Sequence, residues 1–191
     1  MVLIKGINVG GHRTFRPSTL ARELSKYGII NVGAAGTFIV LKPISEAKLR
    51  AELLRKLPFE AAIMICSASE ILNLPRFESF AGQTTAPDIV RFISVLAECP
   101  SVLPAIPLSL PREGDWLVKI VAVRGRFVFG MYRRTMRTIS LLNQLEKHLG
   151  QVATTRNWNT ISTIVQILES HKRSTKLQDP SSRETPNSKL Q

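Results

Sequence analysis

The sequence predicts an α+β protein, and three observations carry that prediction. Short β-branched and apolar runs recur along the chain; the early ones alternate with capped stretches of helical periodicity; two later ones fall in succession around a turn. The chain has 191 residues, 44% of them hydrophobic, which suits one compact domain or two small ones with a real core.

Residues 2–7 read as a first strand, and a glycine-rich turn through Gly6, Gly10 and Gly11 follows. Ser18, after Pro17, is placed to cap a helix whose inward face is Leu20, Leu24 and Tyr27. Gly28 sits where a left-handed C-terminal residue belongs. Residues 37–41 are β-branched and aromatic, hence a strand, and Gly33 and Gly36 predict a bulge or a close backbone approach before it. Ser45 caps a second helix carrying Leu49, Leu53 and Leu57, which Pro58 ends. Residues 61–66 form a third strand. Ser67 and Glu70 then have capping-box spacing for a short helix reaching Leu74.

The second half has a different rhythm. Residues 89–96 read as a strand, and 100–111 hold four prolines and read as an irregular loop. Residues 116–123 and 126–132 are two strands around Arg124-Gly125, a hairpin. Residues 138–149 form a helix with Leu141, Leu142, Leu145 and Leu149 inward and Gly150 closing it. A last helix starts near Asn157, with Trp158, Ile161, Val165 and Leu168 on one stripe. From His171 the composition turns polar, which predicts a disordered tail over 171–191. The change of rhythm divides the rest into halves 1–82 and 83–170, with no internal sequence repeat.

Charge is the strongest compositional signal: 26 Lys and Arg against 14 acids, a net +12. The segment from Ser170 onward accounts for only part of it, with five basic and two acidic residues. No acid lies between Asp115 and Glu146, where Lys119, Arg124, Arg126, Arg133, Arg134 and Arg137 all fall. A field of one sign attracts phosphates, nucleic acid or acidic partners; a solvated basic surface is the bland alternative. Cys66 and Cys99 have no metal-ligand spacing and read as buried free thiols in a reducing compartment. Lys5 breaks the N-terminal apolar run, so it does not read as a leader, and no apolar segment approaches the roughly 18 residues of a membrane span. A cytoplasmic location without a membrane partner is therefore expected.

Two constellations bear on chemistry. The first is Gly6-Ile7-Asn8-Val9-Gly10-Gly11-His12-Arg13 after the first strand. It places His12 and Arg13 where a P-loop requires Lys and Ser or Thr, so nucleotide hydrolysis is disfavoured. What survives is a glycine turn whose N–H groups could cradle an anion beside Lys5, His12 and Arg13. A purely structural tight turn is the competing reading. The second is Thr154-Thr155-Arg156-Asn157-Trp158-Asn159-Thr160, read as a polar helix start. There Arg156 and the helix N-terminus favour an anion, while Trp158 on the apolar stripe is a core anchor before it is a stacking platform. Three histidines (His12, His148, His171) and scarce acids give no triad, paired-carboxylate or metal motif.

The same two constellations make the chain resemble the bacterial family catalogued as domain of unknown function 1697. Members of that family open with a strand running into Arg-Gly-Ile-Asn-Val-Gly-Gly and close with Thr-Thr-Arg-Asn-Trp-Asn-Thr. Here Lys5 replaces the first Arg, and the second motif is intact at Thr154–Thr160. The resemblance covers roughly residues 1–170. It implies two ferredoxin-like (α/β plait) halves with mixed or antiparallel sheets, and no established activity. One departure stands out: Ala34-Ala35-Gly36-Thr37 occupies the place of the family's Gln-Ser-Gly-Asn. Each hydrogen bond lost there would cost on the order of 1 kcal/mol.

The leading expectation is a module that binds nucleic acid or a phosphorylated ligand. Its candidate contacts are Lys5, Gly6, Asn8, Gly10, Gly11, His12, Arg13, Arg156, Asn157 and Asn159, with the acid-free stretch as a basic surface. An enzyme on a small phosphorylated or carboxylated substrate is the alternative, with Lys5, Asn8, His12 and Arg156 lining one pocket. A third reading is an interaction or oligomerisation protein. The thin supply of acids and histidines weighs against catalysis, and no cofactor or metal is expected.

Overall fold

A computed structural model describes residues 1–6 and 15–178 of the chain. The glycine turn from Ile7, with Asn8, Gly10, Gly11, His12 and Arg13, lies outside the described residues, as does the tail from Asp179. The α+β class holds: two antiparallel sheets are combined with five helices among the described residues.

The first sheet is built from β1 (Val2–Ile4), β2 (Ile29–Asn31), β3 (Thr37–Val40) and β4 (Ile63–Ile65), in the order β2-β3-β1-β4. Helices α1 (Pro17–Glu23) and α2 (Glu46–Lys56) cross between its strands. Strand β1 reads as a continuous apolar run because both of its faces are covered. Val2 and Ile4 pack toward α1 and α2 with Leu20, Leu49 and Leu53, while Leu3 turns to the opposite core. Ser45 caps α2 by accepting from the Lys48 N–H. Ser67 and Glu70 form the full capping box of α3 (Ala68–Asn73).

The second sheet contains β5 (Ile89–Leu96), β6 (Leu108–Leu110), β7 (Val118–Arg124), β8 (Phe127–Arg133) and β9 (Ala153–Asn157). Its order is β6-β7-β8-β5-β9, with α4 (Met136–Leu149) joining β8 to β9 and α5 (Trp158–Gln178) following β9. Without β6, the order β7-β8-β5-β9 repeats β2-β3-β1-β4, with α4 in the place of α2. The proline-rich segment and β6 stand where the counterpart of α1 would be. The repeat is topological; no sequence repeat announces it.

Three cores result. One lies between the first sheet and α1 with α2, and one between the second sheet and α4. The central core joins Leu3, Ile39 and Met64 of the first sheet to Ile93, Phe129 and Met131 of the second, with α3 and α5 contributing Ile71, Ile161 and Leu168. Residues from both halves of the chain therefore share one interior.

Several local expectations are corrected. Strand β1 ends at Ile4, and Arg16, not Ser18, occupies the cap position of α1, where Pro17 supplies a preset φ for the first turn. Strands β2 and β6, three residues each, were not anticipated. Thr154–Asn157 belongs to strand β9, so only Trp158 onward is helical. Helix α5 continues through His171 to Gln178 inside the segment expected to be a disordered tail. Extending a formed helix adds a hydrogen bond for each residue fixed, so these polar residues need no core of their own. Ser174 and Thr175 also donate to the carbonyls of Ser170 and His171.

Gly130 on β8 lies directly opposite Phe92 on β5, and the fully buried Phe92 ring occupies the space over it. A Cβ at position 130 would run into that ring and sit 2.9 Å from the Lys119 carbonyl oxygen. Gly130→Ala should therefore destabilise the protein by roughly 1–3 kcal/mol, as overpacking does. Urea denaturation measures this; an unchanged midpoint would contradict the packing described.

Candidate functional site

Strand β9 is an edge strand of the second sheet that faces the first. Alternation sends Thr155 to Ser94 across the strand pair, hydroxyl to hydroxyl at 2.6 Å, and sends Thr154 and Arg156 to the other side. Thr154 is buried and donates to the sulfur of Met64 on β4 at 3.2 Å. Arg156 donates from Nε to Thr37 Oγ1 at 2.7 Å, from Nη1 to the Thr155 carbonyl at 2.7 Å, and from Nη2 to the carbonyls of Ala35 at 2.5 Å and Ile4 at 3.3 Å. No carboxylate is among these acceptors. Burial alone pushes the guanidinium down to about 10, which leaves it charged at neutral pH.

Arg156 is thus a tie between the two sheets, with all three side-chain nitrogens engaged by the protein. The departure at residues 34–37 does not disturb it. Ala35 serves through its carbonyl, and Thr37 supplies a hydroxyl.

Lys5 is likewise engaged. Its ammonium pairs with Glu146 of α4, and Glu146 also accepts the Ala153 N–H at 2.7 Å. Gly6 follows with φ +77°. The acid-free stretch does not make one patch. Arg124 and Arg126 stand at the β7–β8 turn, while Lys119, Arg133, Arg134 and Arg137 lie toward the other end or beyond it. Seven-residue strands separate the two ends by about 20 Å. Arg126 pairs with Glu70 at 3.0 Å and donates to the Ile65 carbonyl; Arg133 pairs with Asp88 at 2.7 Å and lies over Trp116. Two of the six cations are therefore neutralised by acids from outside the stretch.

A cleft of about 190 Å³ opens where β5 begins, β8 ends and α5 starts. Arg91, Arg134, Thr84, Thr85, Asn157 and Asn159 supply its polar lining, with Trp158 beside them. Asn157 Oδ1 accepts the Asn159 N–H at 2.8 Å, which orders the first turn of α5. Arg91 lies over the Phe80 ring, 5.3 Å from its centroid. Among the described residues, neither Arg91 nor Arg134 has an acidic partner, and no acid, His or Cys lines the cleft. Its electrostatics suit an anion, and its lining holds no general base or nucleophilic thiol.

Asn157 and Asn159, expected contacts, meet here with Arg134 of the expected basic surface. Lys5 and Arg156 are drawn into inter-sheet ties instead. Arg91, Thr84 and Thr85 were missed; the available signal was a lone Arg inside the apolar run 89–96. Trp158 packs 5.2 Å from Phe80 and 6.2 Å from Phe129, ring centroid to centroid, as a core anchor.

Both cysteines are free, but only Cys66 is buried; Cys99 is exposed, a correction to the expected buried pair. Its place next to the Pro-rich segment after β5 gives it no apolar cover. Among the described residues no group of three or more His, Cys, Asp and Glu is assembled for a metal, and no helix is long and apolar enough to cross a membrane.

Arg156→Ala strands the buried Thr37 hydroxyl and takes the donor from the Ile4 and Ala35 carbonyls, and should cost about 3 kcal/mol in chemical denaturation. Arg156→Lys should recover less than half of that, because an ammonium cannot span the same acceptors; an Ala variant as stable as wild type would refute the tie. Burial pushes the Cys66 thiol up to about 11 from 9.0. The folded protein therefore holds a proton that the unfolded chain releases between those values, and stability falls as pH rises through that window. The drop should be on the order of 2 kcal/mol and absent in Cys66→Ala. At pH 8 a maleimide should label Cys99 alone in the folded protein; labelling of both thiols would contradict the burial.

No family model, no curated protein and no solved structure matches this chain, so the functional reading rests on its own geometry.

Proposed function

We propose that the protein is a binding module for a phosphate-type anion, held between Arg91 and Arg134 at the start of α5. One observation carries this reading: two Arg residues without acidic partners among the described residues share a concave site that no described acid lines. The Asn157 and Asn159 amides and the Thr84 and Thr85 hydroxyls add neutral donors around them. Size narrows the ligand. Pockets that enclose whole small molecules run to about 300–1,000 Å³. A cleft of about 190 Å³ takes a phosphoryl group or a small phosphorylated molecule. The separation of the remaining basic residues favours that ligand over a nucleic-acid strand, which needs a continuous basic track.

Among the described residues the lining offers cations, amides and hydroxyls, which supports a binding role. We read each sheet as a ferredoxin-like half: β1-α1-β2-β3-α2-β4 with strand order β2-β3-β1-β4 supports this for the first, and the repeated order for the second. On that reading the motif resemblance to domain of unknown function 1697 is one of kinship. Two unbridged thiols support a cytoplasmic location.

Calorimetric titration with inorganic pyrophosphate and, separately, a single-stranded oligonucleotide tests the reading. Pyrophosphate should bind, Arg91→Gln and Arg134→Gln should each weaken it about tenfold or more, and Lys119→Gln should leave it unchanged. An oligonucleotide that binds with steep salt dependence while pyrophosphate does not would overturn the small-ligand reading. No binding of either would overturn both.

A further inference from the structure

A second concave site lies at the other end of α5. Trp158 at the anion cleft and Lys172 on its rim are about 21 Å apart along the helix, so the two sites are separate. Its cavity of about 330 Å³ is floored by Val40, Leu41, Ala68, Leu72 and Leu168, from β3 and its end, α3 and α5. A neighbouring hollow of about 380 Å³ shares Val40, Leu41, Ala68 and Leu168, so the two run together as one groove that extends to Lys42. The floor of the first hollow is aliphatic, while the second adds Cys66, Ser67 and Glu46 to its aliphatic residues. Lys172, with His171 and Thr175, lines the first hollow and Lys42 the second.

The charges around the groove have one uncompensated sign. Glu46 lines the far hollow, but Arg50 pairs with it at 2.9 Å. Neither Lys42 nor Lys172 has an acidic partner among the described residues. We infer that this groove binds an amphiphilic anion, an unbranched aliphatic carboxylate whose chain lies on Leu41, Leu72 and Leu168 and whose head meets Lys172 or Lys42. Its volume is in the range for a small molecule. Aliphatic floor and cationic rim together select against both a free phosphate, which has no use for the floor, and a neutral hydrocarbon, which has no use for the lysines. The inference is independent of the anion cleft, since it shares no residue with it.

Calorimetry with hexanoate, octanoate and decanoate, below their aggregation concentrations, tests it on the full chain. Each added methylene that enters the groove should tighten binding about fourfold until the floor is filled. The double change Lys42→Glu with Lys172→Glu should weaken decanoate at least tenfold and leave decanol unchanged. Ala68→Trp, at an exposed position in the first turn of α3, should fill the groove and abolish binding of both. Circular dichroism and thermal melting verify that each variant is folded. Three results would overturn the inference: no binding of any chain length, affinity independent of chain length, or carboxylate binding indifferent to the lysine reversals. Sedimentation supplies a fourth: a concentration-dependent dimer that Ala68→Trp dissolves would make the groove a self-association surface instead.

Discussion

The two sheets are held in register by an arginine that has no acid to pair with. Arg156 leaves strand β9 of the second sheet and spends its donors on the ends of β1 and β3 in the first, through Ile4, Ala35 and Thr37. A buried guanidinium is tolerable only when neutral oxygens replace the water it has lost. Those oxygens come from the Ala35 carbonyl just before β3, the Ile4 carbonyl that ends β1, and the hydroxyl of the fully buried Thr37. Thr154 to Met64 and Lys5 to Glu146 reinforce the same seam. Beneath it, Leu3 and Ile39 of one sheet and Ile93 and Phe129 of the other complete a common core. Neither half could expose that face without leaving a large apolar surface in water.

This seam explains where concave sites arise. Helix α5 leaves β9 directly and lies across the central core, so each of its ends meets a junction between elements. At its start, β5, β8 and the 84–86 segment converge with Arg91 and Arg134, and polar groups dominate the lining. Toward its end, β3 and α3 converge on Leu168, and the lining is aliphatic. One rigid helix thus separates two chemistries. The six cations of the acid-free stretch divide in the same way, with Arg126 and Arg133 spent on holding neighbouring elements and Arg134 left at a cleft.

Much of the fold was legible because local signals were long or redundant. Strand β5 was read at its full extent, since eight residues of β-forming sequence stand between turn signals. The β7–β8 hairpin, the Ser67 capping box, and the left-handed Gly28 and Gly150 at helix ends were equally plain. Strands β2 and β6 were not: three residues hold strand conformation only because a neighbouring strand pairs with them. The Thr154–Asn157 run was misread for the opposite reason. Thr and Asn are strong cap residues, while the pairing of β9 with β5 joins residues about sixty positions apart. The site was legible only in part. Arg156 beside a helix start resembles an anion ligand until its acceptors, more than a hundred positions earlier, come into view. Arg91 is the one charge in the run 89–96 and carried no site reading in the sequence; only the fold brings it to Arg134.

The central claim is that Arg91, Arg134 and the first turn of α5 form one anion site. Its most direct test follows backbone and guanidinium resonances by NMR while pyrophosphate is added. The account predicts saturable shifts concentrated at Arg91, Arg134, Thr85, Asn157 and Asn159, with Arg156 and Lys5 little affected. Shifts centred on residues 5–16, or spread evenly over every exposed basic side chain, would contradict it.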